Sequence, residues 1–331
     1  MQTLASSGSS FKPACLIESL TELNKAFADS LRLQILRLLK GESFGVLELC
    51  RILGIRQSAL SHHLKILATA KLLSTRREGN SIFYRRALFT EDDLYREIKE
   101  SILERVDEIP IPNDRKKQIR QIHLERAEQS LIFFKKNADK FLEKQGLIVE
   151  HTDYATNLHD LIASLNLKIK SRVLEVGPGE GQLLSELSAK FKNLVALDNS
   201  QEMLEKCKKT ISLTGQKGVE FILGDTSTAL NNNIVSDLVI FNMVLHHIST
   251  PAKMFRDAYS LLSVGGNLLI VDLCSHDQDW VRNSCGDLWL GFEEVDLNHW
   301  AKKAKLVAGQ SAYLALRNGF QIQMRVFRKG I

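Results

Sequence analysis

The chain has 331 residues, of which 44% are hydrophobic and 25% are charged, a balance typical of globular proteins with room for two ordinary domains. Its five cysteines are odd in number and unpaired in spacing, which argues against a disulfide framework and favours a reducing cytoplasm. The first residues lack a basic leader with an apolar segment, and every apolar run is far shorter than the roughly 20 residues of a membrane helix. We therefore expect a cytoplasmic protein with no membrane partner.

Positive charge is concentrated at one end of the chain. Residues 1–90 carry 13 Lys and Arg against six Asp and Glu, a net charge of +7, whereas the other 241 residues carry 31 against 33, a net charge of −2. This asymmetry is typical of a domain that binds a polyanion such as DNA.

The basic end predicts a helix-turn-helix. A helical period over 31–41 stops at a glycine, and 46–55 and 56–73 then predict two helices joined by a turn. One face of the last helix is apolar and should meet the core, through Leu60, Leu64 and Leu67. The opposite face suits a major groove. Its predicted DNA contacts are Gln57, Ser58, Ser61, His62 and Lys65.

A wing follows this helix. Residues 74–88 predict two short strands around Gly79-Asn80, with Arg76 and Arg77 available to DNA phosphates. Through FADSLRLQILRLL, VLELCRILGIRQSALSHHLKIL and RREGNSIFYR, the whole of 20–88 resembles the ArsR family of bacterial repressors. The resemblance implies a winged helix-turn-helix that binds double-stranded DNA as a homodimer on an inverted-repeat operator. A three-helix bundle with a solvated basic face is the structural alternative.

Metal binding is not expected. Many ArsR relatives sense metals through two cysteines spaced C-x-C, whereas Cys50 stands alone here. The adjacent pairs His62-His63 and His246-His247 should fail as chelates, because neighbouring helical residues point about 100° apart. We expect His63 to pack against, or stabilise, its helix.

The stretch 91–165 predicts a helical connector. One helix should start at Thr90 and end before Pro110-Ile111-Pro112, and a second should cover 114–141. The second helix carries an apolar stripe, which predicts burial in a core or in a dimer seam. The stripe consists of Ile119, Ile122, Leu131, Phe134, Ala138 and Phe141.

A glycine-rich turn indicates a nucleoside site. Residues 171–181, SRVLEVGPGEG, form an apolar strand that runs into Gly177, Gly179 and Gly181, and Asp198 closes the next predicted strand. An acidic residue there can accept hydrogen bonds from ribose hydroxyls. Glu175, just before the glycines, would repel a pyrophosphate but attract an ammonium and a sulfonium group.

The rest of the chain predicts a doubly wound sheet. Apolar runs at 219–225, 236–242 and 266–274 alternate with segments that suit helices, which implies parallel strands. Gly265-Gly266 should form the turn into the fifth strand. Two extended runs around Asn318-Gly319 predict a final antiparallel hairpin.

Residues 171–330 resemble S-adenosylmethionine-dependent methyltransferases of the UbiE-like group, through LEVGPGEG, LVALDNS with Met203, the pair Gly224-Asp225, NMVLHH and LLSVGGNLLI. The resemblance implies S-adenosylmethionine or S-adenosylhomocysteine as ligand. The glycines would border its methionine part, Asp198 the ribose, Asp225 with Thr226 the adenine edge, and Asn242 the sulfonium. The full predicted set is Glu175, Gly177, Gly179, Gly181, Asp198, Asn199, Met203, Gly224, Asp225, Thr226 and Asn242.

The methyl acceptor is not indicated, and no nucleophile triad is present in the sequence pattern. His246 and His247 follow the fourth strand and are the candidate general bases. Tyr154 is a candidate lid residue, with ordinary burial as the alternative. The segment 275–306 resembles proteins in which the two domains are fused, and its aromatics should line an acceptor pocket or pack in the core. These aromatics are Trp280, Trp289, Phe292 and Trp300.

The predicted fold is α/β plus winged helix. It has an N-terminal winged helix-turn-helix (1–90), a helical connector with dimerisation and lid roles (91–165), and a C-terminal Rossmann-like class I methyltransferase domain (166–331) whose mainly parallel sheet ends in an antiparallel hairpin. Two functions are open. One is a ligand-responsive transcription factor; the other is an active small-molecule methyltransferase whose winged helix mainly dimerises it or places it on DNA.

Overall fold

The computed structural model describes residues 13–78, 81–215 and 218–330, with the side chains of 13–15, 141 and 142 outside the description. The chain forms two compact units, one ending at Gln121 and the other beginning at Ile122. Among the described residues, no helix is both long enough and apolar enough to cross a membrane.

The first unit packs helices against a small antiparallel sheet of order β1-β3-β2. Its elements are α1 (Pro13–Phe27), α2 (Ser30–Leu38), β1 (Phe44–Gly45), α3 (Val46–Leu53), α4 (Gln57–Thr69), β2 (Leu73–Glu78), β3 (Ser81–Arg86) and α5 (Arg96–Glu108).

The predicted helix-turn-helix is confirmed as α3 and α4. Gly54 ends α3 in the left-handed region, with φ of +68°, where a residue without a β-carbon is least strained. The three predicted core leucines of α4 are at most 1% exposed, so the 3.6-residue period identified its buried face.

The wing is also confirmed. Strands β2 and β3 pair antiparallel, with Arg76 opposite Phe83 and Arg77 opposite Ile82. The predicted turn residues Gly79-Asn80 lie outside the described residues. No sequence pattern predicts β1, which has only two residues and pairs with β3.

The connector differs from its prediction at its start. Helix α5 begins at Arg96 rather than at Thr90, because the Asp93 side chain accepts hydrogen bonds from the Tyr95 backbone N (3.1 Å) and from Lys99 Nζ (2.7 Å) and fixes a turn before the helix. The apolar stripe is only partly buried, since Leu131 is 37% exposed. The elements that follow α5 are α6 (Asn113–Asn137), a 3-10 turn (Ala138–Lys140), α7 (Phe141–Gly146) and α8 (His151–Ser164).

The second unit is built on a seven-stranded sheet of order β6-β5-β4-β7-β8-β10-β9. Strands β4 to β8 pair in parallel, while β10 pairs antiparallel with both β8 and β9, which confirms the predicted Rossmann-like sheet with a final hairpin. Its elements after α8 are β4 (Arg172–Val176), α9 (Gln182–Ser188), β5 (Asn193–Asp198), α10 (Gln201–Leu213), β6 (Val219–Leu223), α11 (Thr226–Asn231), β7 (Ser236–Asn242), α12 (Pro251–Leu261), β8 (Leu262–Leu273), α13 (Trp280–Ser284), α14 (Glu294–Lys303), β9 (Leu306–Ala315) and β10 (Gln321–Lys329).

The predicted turn at Gly265-Gly266 is wrong. Both glycines lie inside β8, where the register with β7 shifts between Ser236 and Leu238. Gly265 has φ of +76°, so the pair forms an irregularity within the strand rather than its entrance.

Of the two alternatives for the aromatics of 275–306, an acceptor pocket or core packing, the structure shows core packing for most of them. The Trp300 ring meets those of Phe255 and Phe292 at centroid distances of 5.7 and 5.6 Å. The indole N–H of Trp289 donates to the Ile248 carbonyl oxygen at 2.7 Å, and Trp280 is 39% exposed. Edge-to-face packing thus accounts for most of these rings.

Candidate functional site

The glycine turn joins β4 to α9 as predicted. Gly177, Gly179 and Gly181 have φ of +67°, +58° and +84°, values that side chains disfavour. A β-carbon on Gly177 would lie 2.4 Å from Val244 Cγ2, and one on Gly181 would lie 2.8 Å from Cys207 Sγ. The protein's own packing therefore requires two of these glycines, and their contact with a ligand remains a prediction.

Glu175 is the most unusual polar residue near this turn. It lies in β4, is 1% exposed, and its Oε2 has no hydrogen-bond partner among the described residues. Burial raises the pKa of Glu175 to about 8, although a hydrogen bond with Asn242 opposes the shift. A buried carboxyl with an unused oxygen is costly unless another group, such as a cationic ligand, satisfies it.

Asp198 stands at the end of β5, where the predicted ribose would lie. Its Oδ1 accepts a hydrogen bond from the Ser200 backbone N at 2.8 Å, and burial raises its pKa to about 6. The neighbouring Asn199 is exposed. Met203, in contrast, is 3% exposed and packs inside the first turn of α10.

The two residues predicted to meet the adenine edge, Asp225 and Thr226, lie in different surroundings. The backbone N of Gly224 donates to the Asp198 carbonyl oxygen at 2.8 Å, which ties the ends of β5 and β6 together. Asp225 caps α11 by accepting from the Thr228 backbone N at 3.1 Å. Thr226 is 2% exposed and its hydroxyl donates to Asp257, so this hydroxyl is already committed within the core.

A cleft opens above the glycine turn and brings distant parts of the chain together. Asn242 ends β7, and its Oδ1 accepts from the Tyr154 hydroxyl of α8 at 3.1 Å. Tyr154 is 2% exposed, and burial raises its pKa. The segment before β4 therefore lies beside the glycine turn, and the burial of Tyr154 fits both a lid residue and an ordinary buried tyrosine. The cleft is lined by Gln145, His151, Tyr154, Gly177, Gly179 and Asn242, among others.

Gln145 and His151 were missed by sequence reasoning. They precede the first strand of the sheet by more than 20 residues, and no spacing rule connects them to it. Only the path of α7 and α8 brings them to the cleft.

The expectation that His246 and His247 diverge is wrong. They lie in a 3-10 turn (Leu245–His247), not in an α-helix, and their ring centroids are 4.0 Å apart. Burial lowers the pKa of His246, but the charges of Asp272 and Asp287 outweigh it and raise this pKa to about 9. Burial and the charge of His246 hold the pKa of His247 well below its usual value. The surroundings thus favour the charged form of His246 and the neutral form of His247.

A second cavity adjoins the cleft, since Gln145 and Met243 line both. Its wall also includes both histidines and Asp287, with Cys285 and Lys144 nearby. Burial raises the pKa of Cys285 to about 12, so this thiol is not a ready nucleophile.

The predicted DNA-binding side chains of α4 are all exposed, and the Ser61 hydroxyl donates to the Gln57 carbonyl oxygen at 2.8 Å. In the wing, Arg77 is exposed, whereas the Arg76 Nε lies 2.6 Å from Oε1 of the buried Glu78. His63 lies 3.6 Å from Asp29 Oδ1, which confirms that it packs beside the start of α2. The Arg77 side chain is thus more exposed to solvent than that of Arg76.

Comparisons with known proteins find one family model in each of the two compact units. Residues 29–75 match the family model described as "Bacterial regulatory protein, arsR family", and residues 167–313 match the one described as "Methyltransferase domain". A transcriptional repressor SmtB homologue from Synechocystis sp. is 31% identical over 87 residues, which are 26% of this chain and 66% of that protein.

A further curated protein and a solved structure are similar to parts of this chain. A carboxy-S-adenosyl-L-methionine synthase from Shewanella halifaxensis is 25% identical over 137 residues, which are 40% of this chain and 56% of that protein. The chain spans about half the length of the curated methyltransferase-type relatives it matches. The structure of N-methyltransferase NodS from Bradyrhizobium japonicum, in complex with S-adenosyl-L-homocysteine, has 16% identity and a TM-score of 0.42, over 53% of this chain and 87% of that one.

The methyltransferase match supports S-adenosylmethionine or S-adenosylhomocysteine as the ligand of the second unit. The chain therefore joins an ArsR-family helix-turn-helix domain to a class I methyltransferase domain.

Proposed function

We propose that the protein is a DNA-binding transcriptional regulator whose affinity for its operator responds to S-adenosylmethionine or S-adenosylhomocysteine. The main observation in favour of nucleoside binding is Glu175, a fully buried carboxyl with one oxygen that accepts no hydrogen bond from any described residue. It lies two residues before the glycine turn and contacts Asn242, which lines the cleft. An ammonium or sulfonium group is the complementary charge.

Residues at the ends of the neighbouring strands would hold the rest of this ligand. The carboxylate of Asp198, at the end of β5, suits a ribose, and Asp225 is the adenine-edge residue, because the Thr226 hydroxyl is committed to Asp257. When bound, S-adenosylmethionine supplies an activated methyl group. The chain's own contribution is to position it and to exclude water, with Tyr154 closing the cleft against Asn242.

DNA binding is supported by the exposed polar face of α4 and by the exposed Arg77 of the wing. An inverted-repeat operator and a homodimer follow from the two-fold symmetry that such domains use, with recognition helices about 34 Å apart. Helix α6 contains the last residues of the first unit and the first of the second. This helix is the element through which we propose that ligand binding alters the separation of two recognition helices.

We expect DNA affinity to fall steeply with salt, because bound Lys and Arg displace condensed counterions. Arg77→Ala should weaken binding to all sequences alike and reduce the salt slope by about 0.9, whereas Gln57→Ala should change which sequences are preferred. The measurement is fluorescence anisotropy with an operator selected from random DNA. Arg105→Ala is the matched control, since Arg105 is equally cationic but lies on α5 and is 79% exposed there. A flat salt titration without any enriched sequence would exclude a regulator.

Ligand and operator should affect each other's binding by the same factor. We expect a change of about 5- to 150-fold in operator affinity when S-adenosylhomocysteine is added, and an equal change in nucleoside affinity when operator is added. Asp198→Ala should bind operator as the wild type does but should lose this response. Operator titrations with and without each nucleoside are the measurement.

Identical operator curves, together with methyl transfer to a small molecule, would instead support the second candidate, an enzyme whose winged helix dimerises it or places it on DNA. The position of His247 in the wall of the second cavity supports this candidate, because burial and the charge of His246 lower its pKa and a neutral imidazole can accept a proton from a methyl acceptor.

A further inference from the structure

Two histidines and an aspartate meet in the wall of the second cavity. His246 and His247 belong to the 3-10 turn after β7, and Asp287 lies between α13 and α14. Each offers one ligand atom, and these atoms all lie within 4.8 Å of one another. The three side chains are 3%, 10% and 0% exposed, so this is an internal cluster and not a chance grouping on the surface.

We propose that His246, His247 and Asp287 form a binding site for a divalent transition metal, with Zn²⁺ as the fitting ion. Imidazole nitrogen and carboxylate oxygen are the ligands that zinc accepts, and three protein ligands with one open position is its arrangement at reactive sites. The open position would face the cavity that adjoins the nucleoside cleft.

The distances are close to those that a metal requires. Asp287 Oδ1 lies 4.0 Å from His246 Nε2 and 3.9 Å from His247 Nδ1. Zinc bonds of 2.0–2.2 Å place the ligand atoms of a tetrahedral site roughly 3.4 Å apart. The two pairs that involve Asp287 would each have to contract by about half an ångström, and the two histidine nitrogens, which lie within 4.8 Å of each other, by no more than about 1.4 Å.

The strongest support comes from Asp272, behind the cluster. The Nδ1–H of His246 donates to Asp272 Oδ1 at 2.7 Å, and that oxygen also accepts from the Leu273 backbone N at 2.8 Å. His246 is thereby held with Nε2 turned towards Asp287. A carboxylate that orients one imidazole nitrogen while the other faces a metal is the usual outer arrangement of histidine ligands. Asp272 is therefore a positioning residue.

The protein's own groups compete with the metal. A proton on His246 Nε2 would satisfy Asp287 in place of the ion, and the Gly286 carbonyl oxygen lies 3.2 Å from His247 Nδ1, which it can engage only when that nitrogen is protonated. If the proton prevails, the same residues form a buried ion-pair network and bind no metal. The test has to separate these two occupants.

The experiment uses the full chain, stripped of metal with a chelator, dialysed and titrated with Zn²⁺ by calorimetry. We expect one ion per chain, lost in Asp287→Asn and His247→Gln, and weakened about 10- to 100-fold in Asp272→Asn. Titration with Co²⁺ should give the intense visible bands of a tetrahedral site in the wild type but not in Asp287→Asn.

His159→Gln is the matched control, because His159 also pairs with a carboxylate, Glu186, in the same unit but outside the cluster. It should bind the metal as the wild type does. Circular dichroism checks that each variant is folded. If Asp287→Asn does not fold, the zinc titration of His247→Gln tests the proposal instead. Absence of stoichiometric binding, or equal binding by wild type and both ligand variants, would overturn the proposal.

Discussion

Replacing Asp198 with alanine is expected to weaken S-adenosylhomocysteine binding by at least 100-fold. The carboxylate would lose two charge-assisted hydrogen bonds to ribose hydroxyls, each worth about 1.5–3 kcal/mol. Affinity of the wild type should also rise as the pH increases through about 6, the raised pKa of Asp198, because only the ionised form accepts both bonds. Calorimetry between pH 5 and 8 measures both effects.

Glu220→Ala is the control for Asp198→Ala. Glu220 is an exposed carboxylate on the adjacent strand β6, paired with Arg172 at 2.6 Å and remote from the cleft lining. It should bind the nucleoside as the wild type does. Equal affinities for the wild type and for Asp198→Ala would remove the ribose assignment.

Glu175→Gln is expected to stabilise the ligand-free protein at pH 8 while weakening its affinity for the nucleoside. The pKa of Glu175 is raised to about 8 from an ordinary value of 4.5, so its contribution to folding is complete below pH 4.5 and is lost as the pH rises through about 8. Because each pKa unit corresponds to about 1.4 kcal/mol, the gain in unfolding free energy at pH 8 should be on the order of 4 kcal/mol, and it should vanish near pH 4. Urea denaturation at several pH values measures it.

The same substitution should abolish a proton release. At pH 7 the carboxyl of Glu175 is mostly protonated, and the ammonium group of a bound nucleoside would favour its ionised form. Calorimetry in buffers of different ionisation enthalpy should therefore detect up to one proton released per ligand by the wild type and none by Glu175→Gln. Equal proton release by both proteins would contradict this role.

Glu186→Gln is a control for the stability measurement, because it should change the unfolding free energy in the opposite direction from Glu175→Gln. Burial raises the pKa of Glu186, but hydrogen bonds from His151 and His159 outweigh it and lower the pKa. This carboxylate stabilises the fold above its ordinary pKa, so its removal should destabilise the protein at pH 6, where Glu175→Gln does not.

Periodic patterns were the part of the structure that the sequence could predict. The leucines of α4, the strands before the glycine turn and the hairpin at Asn318-Gly319 each follow from a local repeat or turn preference. The errors in element boundaries have local causes. A turn at Asp93 makes α5 begin later than predicted, and Gly265-Gly266 form an irregularity inside β8 rather than the turn before it, although both sequences resemble ordinary boundaries.

The candidate site was predictable where residues sit at strand ends, because parallel strands bring those ends to one edge. Asp198, Asn242 and the glycine turn belong to this group. Side-chain direction was not predictable in the same way. Thr226 turns into the core, and the paired rings of His246 and His247 depend on a three-residue turn whose geometry leaves no periodic signal.

The contact between Gly177 and Val244 has a consequence for how this protein can evolve. The space where a β-carbon on Gly177 would stand is filled by the Val244 side chain, whose Cγ2 would lie 2.4 Å from it. Val244 directly precedes the turn that carries His246 and His247. A larger side chain at position 177 would therefore be tolerated only if residue 244 became smaller. Changes that reshape the second cavity through the turn after Val244 are in this way limited by Gly177 of the glycine turn.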